Sequence, residues 1–208
     1  MYGFISKLIM SGKLNFKEGQ ISLLGQPMVI VPADFYVEAT RHIIENRDKK
    51  EMMDLYLDAW EAGVCFMRDI SQAYKMKKFE ERYKISMDII SMAGFGDYQT
   101  LAFEKGVHTH FKIMNNSLAL KLRPSKKPVC HILRGFNAGG STIVHEKIFN
   151  CIETECAAVN GHYCIHIDGI TGFISKKDKK LVNEQLDLKW LLPKQKKFMK
   201  GIDPKIKA

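Results

Sequence analysis

The chain has 208 residues, 46% of them hydrophobic and 26% charged, with a formal net charge of +9. This balance belongs to a folded chain able to bury a sizeable core and excludes a disordered polymer; no apolar run approaches the ~20 residues that span a bilayer, which excludes a helical membrane bundle. The opening MYGFISKLIMSGK lacks a basic leader and a small-residue cleavage site, so it is not read as a signal peptide. A cytoplasmic location is expected, where the five cysteines remain thiols and are open to a metal rather than to disulfides.

Residues 2–9 (YGFISKLI) and 13–17 (KLNFK) alternate on either side of Ser11-Gly12, which predicts a hairpin, and Gln20 to Leu24 and Met28 to Val31 flank a Gly25-Gln26-Pro27 turn. Residues 1–31 thus form an N-terminal strand unit, part of the same domain or its dimer interface. From Pro32 and Asp34 a helix runs to Asn46, with Phe35, Ala39 and Ile43 at helical spacing. Asp48 caps a longer one through about Tyr74, carrying Met53, Leu57, Trp60, Val64, Met67 and Ile70 on one stripe. A third carries Phe79, Tyr83, Met87 and Ile90 and ends at Gly94. Eleven methionines suit an adaptable core, or a pocket for an irregular apolar ligand.

At Asp97 the period becomes two. Leu101 and Phe103, then Val107, Thr109, Phe111 and Ile113, then Leu118, Leu120 and Leu122 line successive strands, which predicts a three-stranded meander ending at Arg123-Pro124. His108 and His110 fall on its polar face and are read as solvated. The run VCHILRGFNAGGSTIVHE predicts a helix despite Gly135, Gly139 and Gly140; each costs about 1 kcal/mol against alanine, so close approach of a neighbour is their expected purpose. Strands follow at Ile148 to Glu155 and Tyr163 to Ile167, joined across Ala157 to Gly161 with the hairpin cue Asn160-Gly161. Asp168 to Gly172 reads as a turn and Leu181 to Leu192 as a short helix or arm; beyond Pro193 apolar residues are too few to predict structure. Lysines crowd 176–180 and 189–207, giving a basic arm over 176–208 that can attract nucleic acid or an anionic membrane but whose simplest reading is a solvated surface. The order of elements gives an α+β fold, helices packed on a mostly antiparallel sheet, with 32–175 as the main domain.

Four of the five cysteines lie between Cys130 and Gly172. Cys156 and Cys164 are nearly symmetric about Asn160, and cross-strand thiolates can share a tetrahedral zinc. Glu153 can add a carboxylate only where a bulge or strand end at residues 154–156 turns it to the same face, and Cys130 is the natural fourth ligand. Spacing leaves open a rival set, Cys151, Cys156 and Cys164 with His162 or His166, and also five thiols packed as small hydrophobes without metal.

The segment RGFNAGGSTIVHEKIFNCIETECAAVNGHYCIHIDG resembles the 4-vinyl reductase domain, whose signature is a glycine-rich helix, an E-x-x-C hairpin, a glycine turn and a second cysteine. The upstream GKLNFKEGQISLLGQPMVIVP is similar to the opening of stand-alone archaeal members described as predicted hydrocarbon-binding proteins, so the resemblance extends over most of residues 10–175. It implies a fold related to the TRAPP trafficking subunits and to haem-based nitric oxide sensors, with helices on an antiparallel sheet around an apolar cavity. In phenol-sensing transcriptional activators that carry the domain, three cysteines and a glutamate hold a structural zinc, and the resemblance places those ligands at Cys130, Glu153, Cys156 and Cys164, with Cys65 and Cys151 outside the set. The implied function is a zinc-stabilised sensor or carrier for a small hydrophobic or aromatic ligand, without the activators' ATPase and DNA-binding output. Two alternatives stand beside it. One is an accessory role in tetrapyrrole vinyl reduction, against which the chain has no GxGxxG fingerprint and no flavin motif, so a binding protein is expected rather than an enzyme. The other is an interaction module like the trafficking subunits, with a homodimer or basic-tail contacts.

Overall fold

The computed structural model describes residues 8–46, 48–203 and 205–206. Of the predicted first hairpin, residues 2–7 lie outside that range, and Leu8–Met10 is helical. The strand β1 (Leu14–Lys17) pairs instead with β2 (Gln20–Leu23), which pairs with β3 (Gln26–Met28). Both loops are two residues long with positive φ, 53° and 77° at Glu18-Gly19, 58° and 81° at Leu24-Gly25, the backbone of the primed turns that match strand twist.

Helices α1 (Ala33–Asn46), α2 (Lys49–Ala73) and α3 (Phe79–Met92) follow. Asp48 caps α2, accepting from the Glu51 amide at 2.8 Å. The predicted stripe of α2 is buried as expected, but α1 turns Val37 and Thr40 inward and leaves Phe35 in solvent. A four-stranded antiparallel sheet comprises β4 (Asp97–Glu104), β5 (His108–Met114), β6 (Phe149–Glu155) and β7 (Tyr163–Ile170), in the order β4-β5-β7-β6. The predicted third strand of the meander is a helix, α4 (Ser117–Lys121), because Asn116 caps it, its Oδ1 accepting from the Ala119 amide at 3.1 Å. The place beside β5 passes to β7.

The glycine-bearing helix α5 (His131–His145) lies between the sheet and α2 and is buried along nearly its whole length. A β-carbon at Gly135 would sit 2.2 Å from the Tyr56 carbonyl oxygen and one at Gly139 2.0 Å from that of Trp60. Those two glycines serve close helix approach; Gly140 meets nothing within 4 Å. After the short α6 (Ala157–Asn160), the chain ends in α7 (Thr171–Lys177), α8 (Lys179–Gln185) and α9 (Leu188–Ile202). The residues past Pro193, left without predicted structure, continue α9: Met199 joins Val182, Leu186 and Leu191 in a core with Trp60 and Val64, while the lysines of the helix stay outward. No described helix is long and apolar enough to cross a membrane.

Candidate metal centre and adjoining cavity

Cys130 precedes α5, Glu153 stands in β6, Cys156 follows the end of β6, and Cys164 stands in β7. Their ligand atoms all lie within 4.8 Å of one another, and all four residues are buried. Regular pleating would send Glu153 and Cys156 to opposite faces. The ladder slips at Thr154: Glu153 pairs with His166 and Glu155 with Ile165, so one extra residue returns both side chains to the same face. The Cys130 and Cys164 sulfurs are 3.8 Å apart.

Donors converge on this group from the surrounding chain. Asn116 Nδ2 approaches both sulfurs at 3.5 Å, the Ala157 amide donates to Cys164 Sγ at 3.3 Å, and the Cys130 amide donates to Glu153 Oε2 at 3.3 Å. The hydrogen bonds from the Cys130 and Cys156 thiols, outweighing burial, bring the Cys164 thiol down to about 5. Hydrogen bonds to Cys156 and Cys164, with burial, push Cys130 up. Burial also raises the Glu153 carboxyl, against the pull of His166. Cys164 is thus favoured as a thiolate while Cys130 and Glu153 are held towards their neutral forms, as befits a buried site where an unpaired anion is costly, and Glu153 Oε1 has no hydrogen-bond partner. Three sulfurs and a carboxylate so gathered can hold a metal ion.

The rival ligands fall elsewhere. Cys151 is buried opposite Asp168, with its thiol raised chiefly by burial; His162 is exposed; Cys65 is half-buried on α2. His108 and His110, expected to be solvated, are half-buried, their rings 4.7 Å apart and the ring of Phe173 4.3 Å from that of His108. His166 adjoins the cluster, with Nε2 3.6 Å from Glu153 Oε1.

A cavity of about 50 Å³ opens between α2, α3, α5 and the β4–β5 ribbon, walled by Phe66, Met67, Met87, Ile90 and Phe136, with Tyr98, Asn137 and Ser141 on its polar side. That volume holds a few waters; for anything ring-sized the unbranched methionines are the side chains best able to yield. Behind the polar side, Tyr98 and Asn137 exchange hydrogen bonds at 3.2 and 3.3 Å, Asn137 Nδ2 donates to His166 Nδ1 at 3.1 Å, and Ser141 Oγ donates to Asp168 Oδ2 at 2.6 Å. Burial pushes Asp168 up to about 6, with Cys151 and Ser141 opposing. Cavity and cluster therefore share α5, whose Asn137 and Ser141 reach from the cavity wall to β7. Sequence reasoning missed Asn116, Asn137, Ser141 and Asp168; for Asn137 and Ser141 the available signal was a row of polar residues on a helix otherwise made of small and apolar ones.

No family model matches the chain, and no curated protein matches it. Among solved structures it is similar to the phenol-responsive sensory domain of the transcription activator PoxR, crystallised with phenol: 16% identity over 90% of this chain and 98% of that one, TM-score 0.70. The two share a fold. It is the expected α+β arrangement of helices on an antiparallel sheet. A vinyl-4-reductase family protein from Methanocaldococcus jannaschii matches at 19% identity over 68% of this chain and 82% of its own, TM-score 0.45.

Proposed function

We propose that the chain is a binding module of the 4-vinyl reductase type for a small hydrophobic or aromatic ligand, stabilised by zinc at Cys130, Glu153, Cys156 and Cys164 and acting as a sensor or carrier. The observation that carries this reading is an apolar cavity with convergent polar groups, built against the helix whose N-terminus carries Cys130 of the buried thiol–carboxylate cluster. Likeness of fold to a domain that binds phenol adds support.

Zinc suits the donor set. A tetrahedral ion with bonds to sulfur of ~2.3 Å places neighbouring sulfurs ~3.8 Å apart, and those of Cys130 and Cys164 are 3.8 Å apart. Four protein ligands leave no position for a reactive water, so the metal's part is to tie α5 to the β6–β7 hairpin. Native mass spectrometry with metal analysis is expected to find one zinc per chain, lost in Cys156→Ser and Cys164→Ser; a folded, metal-free wild type refutes the site. For the cavity, calorimetry with phenol, benzene and short alkylphenols, together with solvent extraction of the purified protein, is expected to reveal a bound apolar molecule. Silence in every arm refutes ligand binding.

An interaction-module reading draws on a different observation. Phe16, Val29, Ile30 and Phe35, near the N-terminal strands, are 60%, 79%, 76% and 66% exposed, and such a surface suits a homodimer. Light scattering at low and high salt separates this apolar contact, which persists in salt, from charge-driven contacts of the lysine-rich C-terminal helices, which do not.

A further inference from the structure

We propose that Tyr98, Asn137 and His166 form a line that couples occupancy of the cavity to the Cys130, Glu153, Cys156 and Cys164 cluster, so that ligand and metal alter each other's binding; the inference rests on the ligand-binding reading above. Tyr98 and Asn137 line the cavity. The Asn137 amide nitrogen donates to His166 Nδ1 at 3.1 Å. A ring nitrogen that accepts carries no proton, so the neutral imidazole has its proton on Nε2, the atom 3.6 Å from Glu153 Oε1. His166 and Glu153 are entirely buried, which leaves no bulk solvent to substitute for the contact between them, and Tyr98 and Asn137 are nearly so.

The last link is open. His166 Nε2 and Glu153 Oε1 face each other, both buried and both without a hydrogen-bond partner. Their separation exceeds a hydrogen bond by only a few tenths of an ångström, and leaving two complementary buried groups unpaired is costly, so a small displacement that closes the contact is favourable. Two events can supply it: a metal that orients the Glu153 carboxylate, and a ligand that engages Tyr98 or Asn137 and shifts the amide bonded to His166. Both bias one contact, and coupling of that kind is reciprocal. The parallel branch from Ser141 ends at Asp168, which faces Cys151 outside the cluster. His166 is thus a positioning residue for Glu153, and Asn137 is its connection to the cavity.

The test uses the full chain loaded with cobalt(II), whose visible ligand-field bands report the shape of the metal's shell, and phenol as the probe. Saturating phenol is expected to shift the bands of the wild type and to lower equilibrium metal extraction by a chromophoric chelator about tenfold. In Asn137→Leu the phenol-induced shift disappears. Trp60→Phe, which removes the buried hydrogen bond from the indole to the Phe149 carbonyl at 3.0 Å, keeps the shift and separates coupling from general loss of stability. Should Asn137→Leu fail to fold, Tyr98→Phe, which removes one hydroxyl, is read in the same way. Nitrogen-15 spectra are expected to show His166 protonated on Nε2; protonation on Nδ1 overturns the line. Bound phenol that leaves the cobalt bands unmoved overturns the coupling. If calorimetry finds no phenol binding, the ligand reading loses its probe, yet the coupling is still decided by the ligand-free variants: bands displaced from wild type in Asn137→Leu support it, and identical bands overturn it.

Discussion

Two adjacent glycines on α5 are expected to respond oppositely to the same methyl group. Replacing either Gly139 or Gly140 by alanine gains the helix propensity that glycine lacks, about 1 kcal/mol. At Gly139 the new β-carbon would stand 2.0 Å from the Trp60 carbonyl oxygen and 2.9 Å from the Val64 amide nitrogen, both main-chain atoms of α2 that no rotamer change can move. A carbon rests about 3.3 Å from a carbonyl oxygen, so the helices must part locally by roughly 1.3 Å, enough to forfeit a large share of the dispersion energy at that contact. Overpacking of this kind costs about 1–3 kcal/mol, and with main chain as the obstacle the upper end applies, leaving a net loss of about 2 kcal/mol after the propensity gain. At Gly140 nothing lies within 4 Å and the methyl enters the cavity, so the propensity gain stands. For a chain of this size the melting temperature should fall by about 4–8 °C in Gly139→Ala and rise by about 2–4 °C in Gly140→Ala. Thermal and urea unfolding of the metal-loaded protein measure both. A Gly139→Ala variant as stable as wild type refutes the close approach of α2 and α5. A Gly140→Ala variant that loses stability like Gly139→Ala refutes the open space on its other side. Since Gly140 borders the cavity, its alanine variant should also bind larger ligands less well.

Asp168 loses its proton at about 6 in the fold and near its ordinary 3.8 in the unfolded chain. The native state therefore holds the extra proton between those values, and the contribution of Asp168 to stability is highest below about pH 4 and declines as pH rises to 6. Asp168→Asn removes that decline: relative to wild type it should gain up to about 3 kcal/mol between pH 4 and pH 7, and parallel stability curves refute the raised carboxyl. Asn116→Asp keeps the oxygen that caps α4 but replaces the amide donor near the Cys130 and Cys164 sulfurs with a negative charge; chelator competition should show metal affinity reduced by roughly tenfold or more, while an unchanged affinity refutes the role of the amide. Met67→Ala enlarges the cavity at an adaptable side chain and should cost about 2–5 kcal/mol in stability, part of which a bulky alkylphenol restores by filling the space; a melting temperature unmoved by that ligand refutes the placement of the site.

How much of this was legible in the sequence depends on whether a residue's environment is local. The E-x-x-C spacing of Glu153 and Cys156 carried its own condition, a break in strand alternation, and the slip at Thr154 supplies it. Leu118, Leu120 and Leu122 alternate, but a run of five helical residues is too short to separate a period of two from one of 3.6; the Asn116 cap decides for helix. The polar network was hidden for a different reason. In β7, Ile165 and Ile167 alternate with Cys164, His166 and Asp168, and a one-sided sheet would bury the isoleucines and expose the others. Here α7 and α8 cover one face and α5 the other, so His166 and Asp168 are as buried as any core side chain. The clue to that second cover lies in α5. Gly135 and Gly139 form the contact with α2, while Arg134, Asn137 and Ser141 reach polar groups of the sheet beneath. A helix whose glycine stripe admits a second helix on one side has no side left for water, so its polar residues must find partners inside the protein. Three of them find β6 and β7: Arg134 at the Cys151 carbonyl, Asn137 at His166 and Ser141 at Asp168. The glycines that cost helix propensity are therefore what forces a polar layer into the core, and that layer is where the cavity and the cluster meet.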